Sequence, residues 1–269
     1  MEAMQVNHPQ GMYHNLPPED VFFAVDDLGN QMGVGYIIYQ YQPHLYPDCP
    51  INLYFTMDCQ PAARYMLFGA LVARARQLRD SNPHLAARVY TNVAPGDTRM
   101  REFYEHSGFA CNDTEDVLLL TIPQGDGRIP MSCSPVVTPL NTLEEQSALL
   151  YRLQQNDITY IDQNYLAQLQ HLPHFIALGL YRNTDLIGEI IMAGEGYSCE
   201  LIAIYITAPN RRQGMGKALL HRCMAIMATE GVTRVTARIM SRSIPQKALM
   251  NDFQGSSLGV TMLYPGLRL

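Results

Sequence analysis

Residues 199–231 read CELIAIYITAPNRRQGMGKALLHRCMAIMATEG, and no other stretch restricts the possible folds of this chain as strongly. Its opening, ELIAIYI, is rich in β-branched residues and ends at Pro209 and Asn210, the pattern of a buried strand running into a turn. Its close sets Leu219, Cys223, Ile226 and Met227 on one face at helical spacing, with Gly231 where a helix stops. Between the two, Arg211, Arg212, Gln213, Gly214, Met215, Gly216 and Lys217 bring glycines and positive charge to a helix start. Glycine lets the backbone turn tightly and approach a ligand closely. The first N–H groups of a helix have no internal partner, so an anion fits there. Cations at that end oppose the helix dipole by roughly a few tenths of a kcal/mol. Three of them gain a purpose if a bound phosphate reverses the local sign. The other reading is a plain strand-to-helix turn whose basic side chains face water, and spacing alone leaves both open.

The rest of the chain reads as two similar halves. Residues 22–25 and 33–41 form apolar runs around a DDLGN turn, which predicts a β-hairpin. A strand follows from Ile51, then a helix over residues 62–79 with Leu67, Leu71, Ala75 and Leu78 as its stripe. Residues 87–93 read as a strand, 98–106 as a short helix and 116–122 as another strand. Residues 123–135, PQGDGRIPMSCSP, have no periodicity and predict the domain boundary. Beyond it come two helices, near residues 143–155 and 162–171, the first with Thr142 and Glu145 as a capping box. A hairpin over residues 174–194 leads into the opening stretch, and a strand, a weaker helix and a last strand near residues 260–264 complete the chain. The shared order of hairpin, strand, helix, strand, helix, strand predicts an internal repeat. Its N-terminal copy, residues 1–125, lacks the two opening helices of the C-terminal copy, residues 135–269. Residues 1–20 read as a polar, extended lead-in.

Composition removes several function classes. The 269 residues carry a formal net charge of -6, which argues against a general nucleic-acid binder. No apolar run approaches a membrane span and no signal-peptide pattern opens the chain. The six cysteines form no C-x-x-C pair and the eight histidines show no metal-ligand spacing, so no metal is expected. A reduced, cytoplasmic protein is the expectation.

With its motif and element order together, the chain resembles the GNAT superfamily of acetyl-coenzyme A-dependent N-acetyltransferases. That family carries R/Q-x-x-G-x-G/A where a strand opens into a helix, and RRQGMGKALL matches it here. REFYEHSGF, residues 101–109, resembles the family's F-Y-E-x-x-G-F segment, but the corresponding phosphate turn of that half, DCQPAARYMLFGAL, has no G-x-G. The resemblance implies an α/β fold with two GNAT-like domains in tandem, each a mixed, mostly antiparallel sheet flanked by helices. It implies acetyl-coenzyme A as co-substrate in the C-terminal domain and a degenerate N-terminal domain that supports the fold or shapes the acceptor cleft.

The same resemblance assigns roles. Pantetheine would pair with the strand backbone around Ile204, Tyr205 and Ile206, and the pyrophosphate would sit on Arg212, Gln213, Gly214, Met215, Gly216 and Lys217, with Arg211 as a further charge partner. Glu200 stands where several members place the general base; the alternatives are a solvent-facing strand-end carboxylate, or Glu189 or Glu195 as the base. The family's acid Tyr aligns with Met250, which leaves water, Tyr264 or Ser241 to protonate the thiolate, while Tyr104 sits in the other repeat. The implied reaction is direct attack of a primary amine, on a small molecule or a protein, in a ternary complex. The rival expectation is a non-catalytic coenzyme A sensor or interaction module.

Overall fold

The computed structural model describes residues 4–269; the first three residues of the expected N-terminal domain and of its lead-in lie outside the described residues. Two compact units divide the chain: unit 1 holds residues 1–114 and 262–269, and unit 2 holds residues 115–261.

Unit 1 is built on a six-stranded sheet. Its elements are β1 (Gln5–Asn7), β2 (Val21–Val25), β3 (Gln31–Tyr41), β4 (Ile51–Cys59), α1 (Arg64–Asp80), β5 (Ala87–Tyr90), α2 (Thr98–His106) and, from the far end of the chain, β13 (Gly266–Arg268). The expected hairpin is present as β2 and β3. Strands β4 and β5 run parallel and their neighbours antiparallel. The stripe Leu67, Leu71 and Ala75 of α1 is fully buried against Phe22, Ile37, Leu53, Phe55 and Val89 of the sheet. Before β2 the described residues contain β1 and a 3-10 turn but no α-helix, as the comparison of halves predicts.

Unit 2 contains β6 (Thr114–Leu120), β7 (Cys133–Val137), α3 (Leu143–Gln154), α4 (Gln163–Gln170), β8 (His174–Arg182), β9 (Asp185–Glu195), β10 (Ser198–Ile206), α5 (Met215–Thr229), β11 (Arg234–Met240), α6 (Ile244–Asn251) and β12 (Ser256–Leu263). Its seven strands lie in the order β12-β6-β11-β10-β9-β8-β7. The capping box forms as read: Thr142 Oγ1 accepts from the Glu145 N–H at 3.2 Å, and Glu145 Oε2 accepts from the Thr142 N–H at 3.1 Å. One sheet face packs on α5 through Leu219, Leu220, Cys223, Met224 and Met227, all without exposure. The opposite face packs on Leu149, Leu153 and Leu166 of α3 and α4.

The units divide at places other than the 123–135 linker. Strand β6, which the sequence order puts last in the N-terminal repeat, pairs antiparallel with β11 over six residue pairs, from Val235↔Leu120 to Met240↔Glu115. Its Leu118 and Leu120 enter the core under α5. Strand β13 pairs with β5 of unit 1. Alternation alone says only that such strands have a buried face; it does not say which sheet receives them. All six cysteines are free thiols. Among the described residues no helix is long and apolar enough to cross a membrane, and no group of side chains has metal-ligand geometry.

Candidate active site

Strand β10 is irregular in two ways at one point. Its pairing with β9 passes from Leu201↔Met192 to Ala203↔Ile191, so Ile202 is an extra residue, a β-bulge. Its parallel pairing with β11 covers only Ser198–Leu201 against Arg234–Ala237, although β10 continues to Ile206 and β11 to Met240. Past the bulge the two strands diverge, while their outer edges stay paired with β9 and β6. The result is an open wedge inside the sheet.

The bulge also exchanges the faces of β10. Before it, Cys199 and Leu201 point to the α5 core; after it, Ile204 and Ile206 do. Ile202, Ala203 and Tyr205 then lie on the α3–α4 side. In a regular strand Glu200 and Tyr205, five positions apart, would face opposite ways. Here they share a face.

Within the wedge, backbone direction follows from the ladder. Thr207 N–H donates to Ile187 O, so by alternation Tyr205 and Ala203 direct their amides to β9, and Ile204 and Ile206 direct theirs to the open edge. The three strand residues expected at the coenzyme therefore divide. Ile204 and Ile206 offer backbone, whereas the Tyr205 hydroxyl donates to Glu189 Oε2 at 2.6 Å. Glu189 is 1% exposed and receives two further bonds from Arg152, Nε at 2.9 Å and Nη2 at 2.8 Å. Fully engaged in that pair, Glu189 is a structural carboxylate. Burial and the neighbouring carboxylate raise the Tyr205 pKa well above its ordinary value.

Beyond β10, a 3-10 turn over Ala208–Asn210 leads to two left-handed residues, Arg212 at φ 58° and Gly214 at φ 75°. Gly214 caps α5 with no side-chain bond. The helical ladder begins with Ala218 N–H donating to Gly214 O, so the N–H groups of Met215, Gly216 and Lys217 precede it. The basic residues part company. Arg211 folds back, its Nε donating to Ile206 O at 2.7 Å, and burial lowers its pKa. Lys217 Nζ lies 3.1 Å from Asp252 Oδ1, and Arg212 is exposed. Gln213 braces the turn by donating to Pro209 O and accepting from Arg182 Nη2. Arg182, at the end of β8, also donates to Asn210 Oδ1 at 2.9 Å. The sequence offers no sign of this arginine's part, because the hairpin that carries it to the turn is a matter of register.

Glu200 sits just before the divergence. Its Oε1 accepts from Arg238 Nε at 2.7 Å, and Arg238 Nη1 lies 3.6 Å from Glu115 Oε1. Thr261 Oγ1 donates to the same Glu115 oxygen at 2.7 Å. Glu195 is exposed at the end of β9. Met250, where the family's acid Tyr aligns, is 2% exposed in the core.

Strand β10, the glycine-capped turn and helix α5 lie inside residues 141–253, which the family model for GNAT acetyltransferases matches. Those residues are a GNAT domain. The chain therefore carries an acyltransferase domain of the N-acetyltransferase type, within unit 2. Solved structures share the fold at low identity. A probable N-acyltransferase of Enterococcus faecalis V583 is 12% identical with TM-score 0.56, covering 99% of this chain and 72% of that one. A GCN5-related N-acetyltransferase of Sphaerobacter thermophilus is 14% identical with TM-score 0.50, covering 95% and 82%. A tandem GNAT protein from the clavulanic acid biosynthesis pathway is 11% identical with TM-score 0.48, covering 99% and 98%. No curated protein matches the chain.

Strand β4 of unit 1 also outruns its parallel neighbour, pairing with β5 only as far as Tyr54, but among the described residues unit 1 has neither the bulge nor the glycine turn. Its β3–β4 register runs unbroken from Gly33↔Cys59 to Tyr41↔Ile51, so β4 has no bulge. The approach to α1 is a Pro61–Ala63 turn with no left-handed glycine. Tyr104 is 2% exposed among Phe55, Phe68, Phe103 and Phe109, and burial pushes its pKa to about 12.

Proposed function

We propose that unit 2 transfers an acetyl group from acetyl-coenzyme A to a primary amine, by direct attack while both are bound. The observation that carries this is the divergence of β10 from β11 after Leu201, at the end of β10 that leads into the Gly214 turn. Pantetheine would lie along the open edge of Ile204 and Ile206, with Tyr205 between them paired to β9. The pyrophosphate would take the N–H groups of Met215, Gly216 and Lys217 at the positive end of α5. Arg212, Gln213 and Gly214 form the turn around it, and Arg211 stiffens the end of β10.

Glu200 is the proposed general base, acting directly or through a water, with Arg238 holding its carboxylate. No tyrosine stands at the motif position, so water protonates the departing thiolate, whose ordinary pKa of about 8.5 makes it a tolerable leaving group. The acceptor is an amine of a small molecule or a protein. The free thiols fit a reducing cytoplasm.

A second reading, a coenzyme A sensor without turnover, is favoured by Met250 in place of the tyrosine. Calorimetry with acetyl-coenzyme A and an amine panel read by thiol release separate the two. Binding with turnover supports the transferase, binding with none across the panel supports the sensor, and no binding sinks both.

A further inference from the structure

The wedge poses a structural problem that the GNAT motif does not solve. Residues 202–206 of β10 have lost β11 as a neighbour, and Ile202 is skipped by β9 as well. A bulged residue left without a ladder partner is free to rock, and any rocking re-aims the amides that follow it. The chain between α3 and α4 supplies what is missing. Tyr160 Oη donates to Ile202 O at 2.6 Å, a carbonyl that neither neighbouring strand engages in register.

The segment is well anchored for this task. Ile158 and Ile161, on either side of Tyr160, are 5% and 1% exposed in the core under α3 and α4. Asp157, left-handed at φ 67°, ends α3 with its N–H on Gln154 O, and Ile158 N–H reaches Leu153 O. At the other end Asp162 caps α4 by accepting from Tyr165 N–H at 2.7 Å. Asp157 also interacts electrostatically with Arg211, the side chain bonded to Ile206 O. The loop thus meets the part of β10 that β11 leaves at its first residue directly, and interacts electrostatically with Arg211, which is bonded to its last.

We propose that the α3–α4 loop is the positioning element of the acyl-transfer site, with Tyr160 as the positioning residue that fixes the β10 bulge and so the aim of the amides facing the thioester. The assignment rests on the acyl donor occupying the wedge. Tyr160 also interacts electrostatically with Glu200, the proposed base. Burial of its hydroxyl end raises its pKa, which keeps it a hydrogen-bond donor at neutral pH, although the residue as a whole is 61% exposed. With so exposed a ring, Tyr160→Phe deletes one hydrogen bond and little packing.

The test compares the full chain with Tyr160→Phe and Tyr160→Leu by three measurements. Hydrogen exchange of residues 200–206 is followed without ligand, Kd for acetyl-coenzyme A is taken by calorimetry, and kcat and KM are measured with an amine that the wild type acetylates. Tyr160→Phe should speed exchange at residues 202–206 and move Tm by no more than about 4 °C. It should lower kcat about 10- to 100-fold, the scale of a small misplacement of reacting groups, with Kd and the amine KM changed far less. Tyr160→Leu should do the same, since the hydroxyl and not the ring is the working part. Wild-type exchange and kcat in Tyr160→Phe, or a loss only in Tyr160→Leu, overturns the positioning role and leaves the donor site standing. A wild type that binds no acetyl-coenzyme A overturns the donor site, and this role with it.

Discussion

Arg238 Nε donates to Glu200 Oε1 at 2.7 Å, from β11 to β10, one residue short of the point where those strands separate. Arg238 is more than half exposed and Glu200 about a third, so the pair is worth only about 0.2–1 kcal/mol of stability. Its value is geometric: it fixes the carboxylate next to the last residue pair that β10 and β11 share. Glu200→Gln should lower kcat by about 10²- to 10⁴-fold, the usual contribution of a general base, with Tm nearly unchanged. Arg238→Met should cost less, and the double variant should be no slower than Glu200→Gln alone, because both act through one carboxylate. Steady-state kinetics on the four proteins decides it, and a Glu200→Gln enzyme with wild-type kcat removes Glu200 from the chemistry.

The two glycines of the phosphate turn differ in what they tolerate. Gly214 sits at φ 75°, where an L side chain is strained by about 1–2 kcal/mol. At Gly216 a Cβ would meet only Ile206 Cγ1 at 3.6 Å and Leu249 Cδ1 at 3.9 Å, ordinary contacts. Gly216→Ala should therefore fold as well as the wild type or better, by up to about 1 kcal/mol from helix propensity. The same methyl, beside the N–H groups of the first helical turn, should weaken acetyl-coenzyme A binding. Calorimetry paired with thermal unfolding reads both. An unchanged Kd in Gly216→Ala would place the pyrophosphate elsewhere.

Much of this was legible in the chain because the relevant signals are local. The strand, the Gly214 turn and the α5 stripe of Leu219, Cys223 and Met227 each depend on residues close together in sequence. Thr142 and Glu145 announced the start of α3 three positions apart. What stayed hidden is non-local. The Ile202 bulge arises from register against β9, and nothing in ELIAIYI marks it. Three short strands were missed or misplaced for similar reasons. Residues 133–137 contain Pro135 within an aperiodic linker, residues 266–268 are too few to show alternation, and the strand read over residues 116–122, which forms over 114–120, was not read as a strand of the other sheet. Tyr160 gave no signal at all, since its role comes from one hydroxyl reaching a carbonyl 42 residues away.

Glu189 is buried with an arginine on one side and a tyrosine hydroxyl on the other. Removing the arginine leaves the charge without a countercharge, a change that costs about 3–5 kcal/mol at buried sites. Arg152→Met should sit near the lower end, because Tyr205 and Thr138 still donate to the carboxylate, and should lower the unfolding midpoint of unit 2 by on the order of 10 °C. Adding Glu189→Gln removes the charge itself, so Arg152→Met/Glu189→Gln should recover a large part of the loss. Strictly additive losses in the pair would show that packing of the arginine stem, and not the buried charge, sets the cost.

The placement of β6 makes a sharper demand on the chain. A fragment cut at the apparent linker, residues 135–269, carries β11 but not its neighbour β6, and it keeps β13, whose partner β5 is left behind. The edge of β11 would then present unpaired backbone beside Val235, Ala237 and Ile239, which are at most 6% exposed in the intact unit. An uncovered apolar edge of this kind templates aggregation. Residues 115–261 keep every strand of the seven-stranded sheet except the single residue Thr114 at one end and Met262 and Leu263 at the other. Expressed side by side, the shorter fragment should be aggregated or unfolded by circular dichroism and size-exclusion chromatography. The fragment covering residues 115–261 should unfold cooperatively and bind acetyl-coenzyme A with the affinity of the whole chain. A well-folded, monomeric 135–269 fragment would mean that β6 is dispensable and that the 123–135 linker is the true boundary.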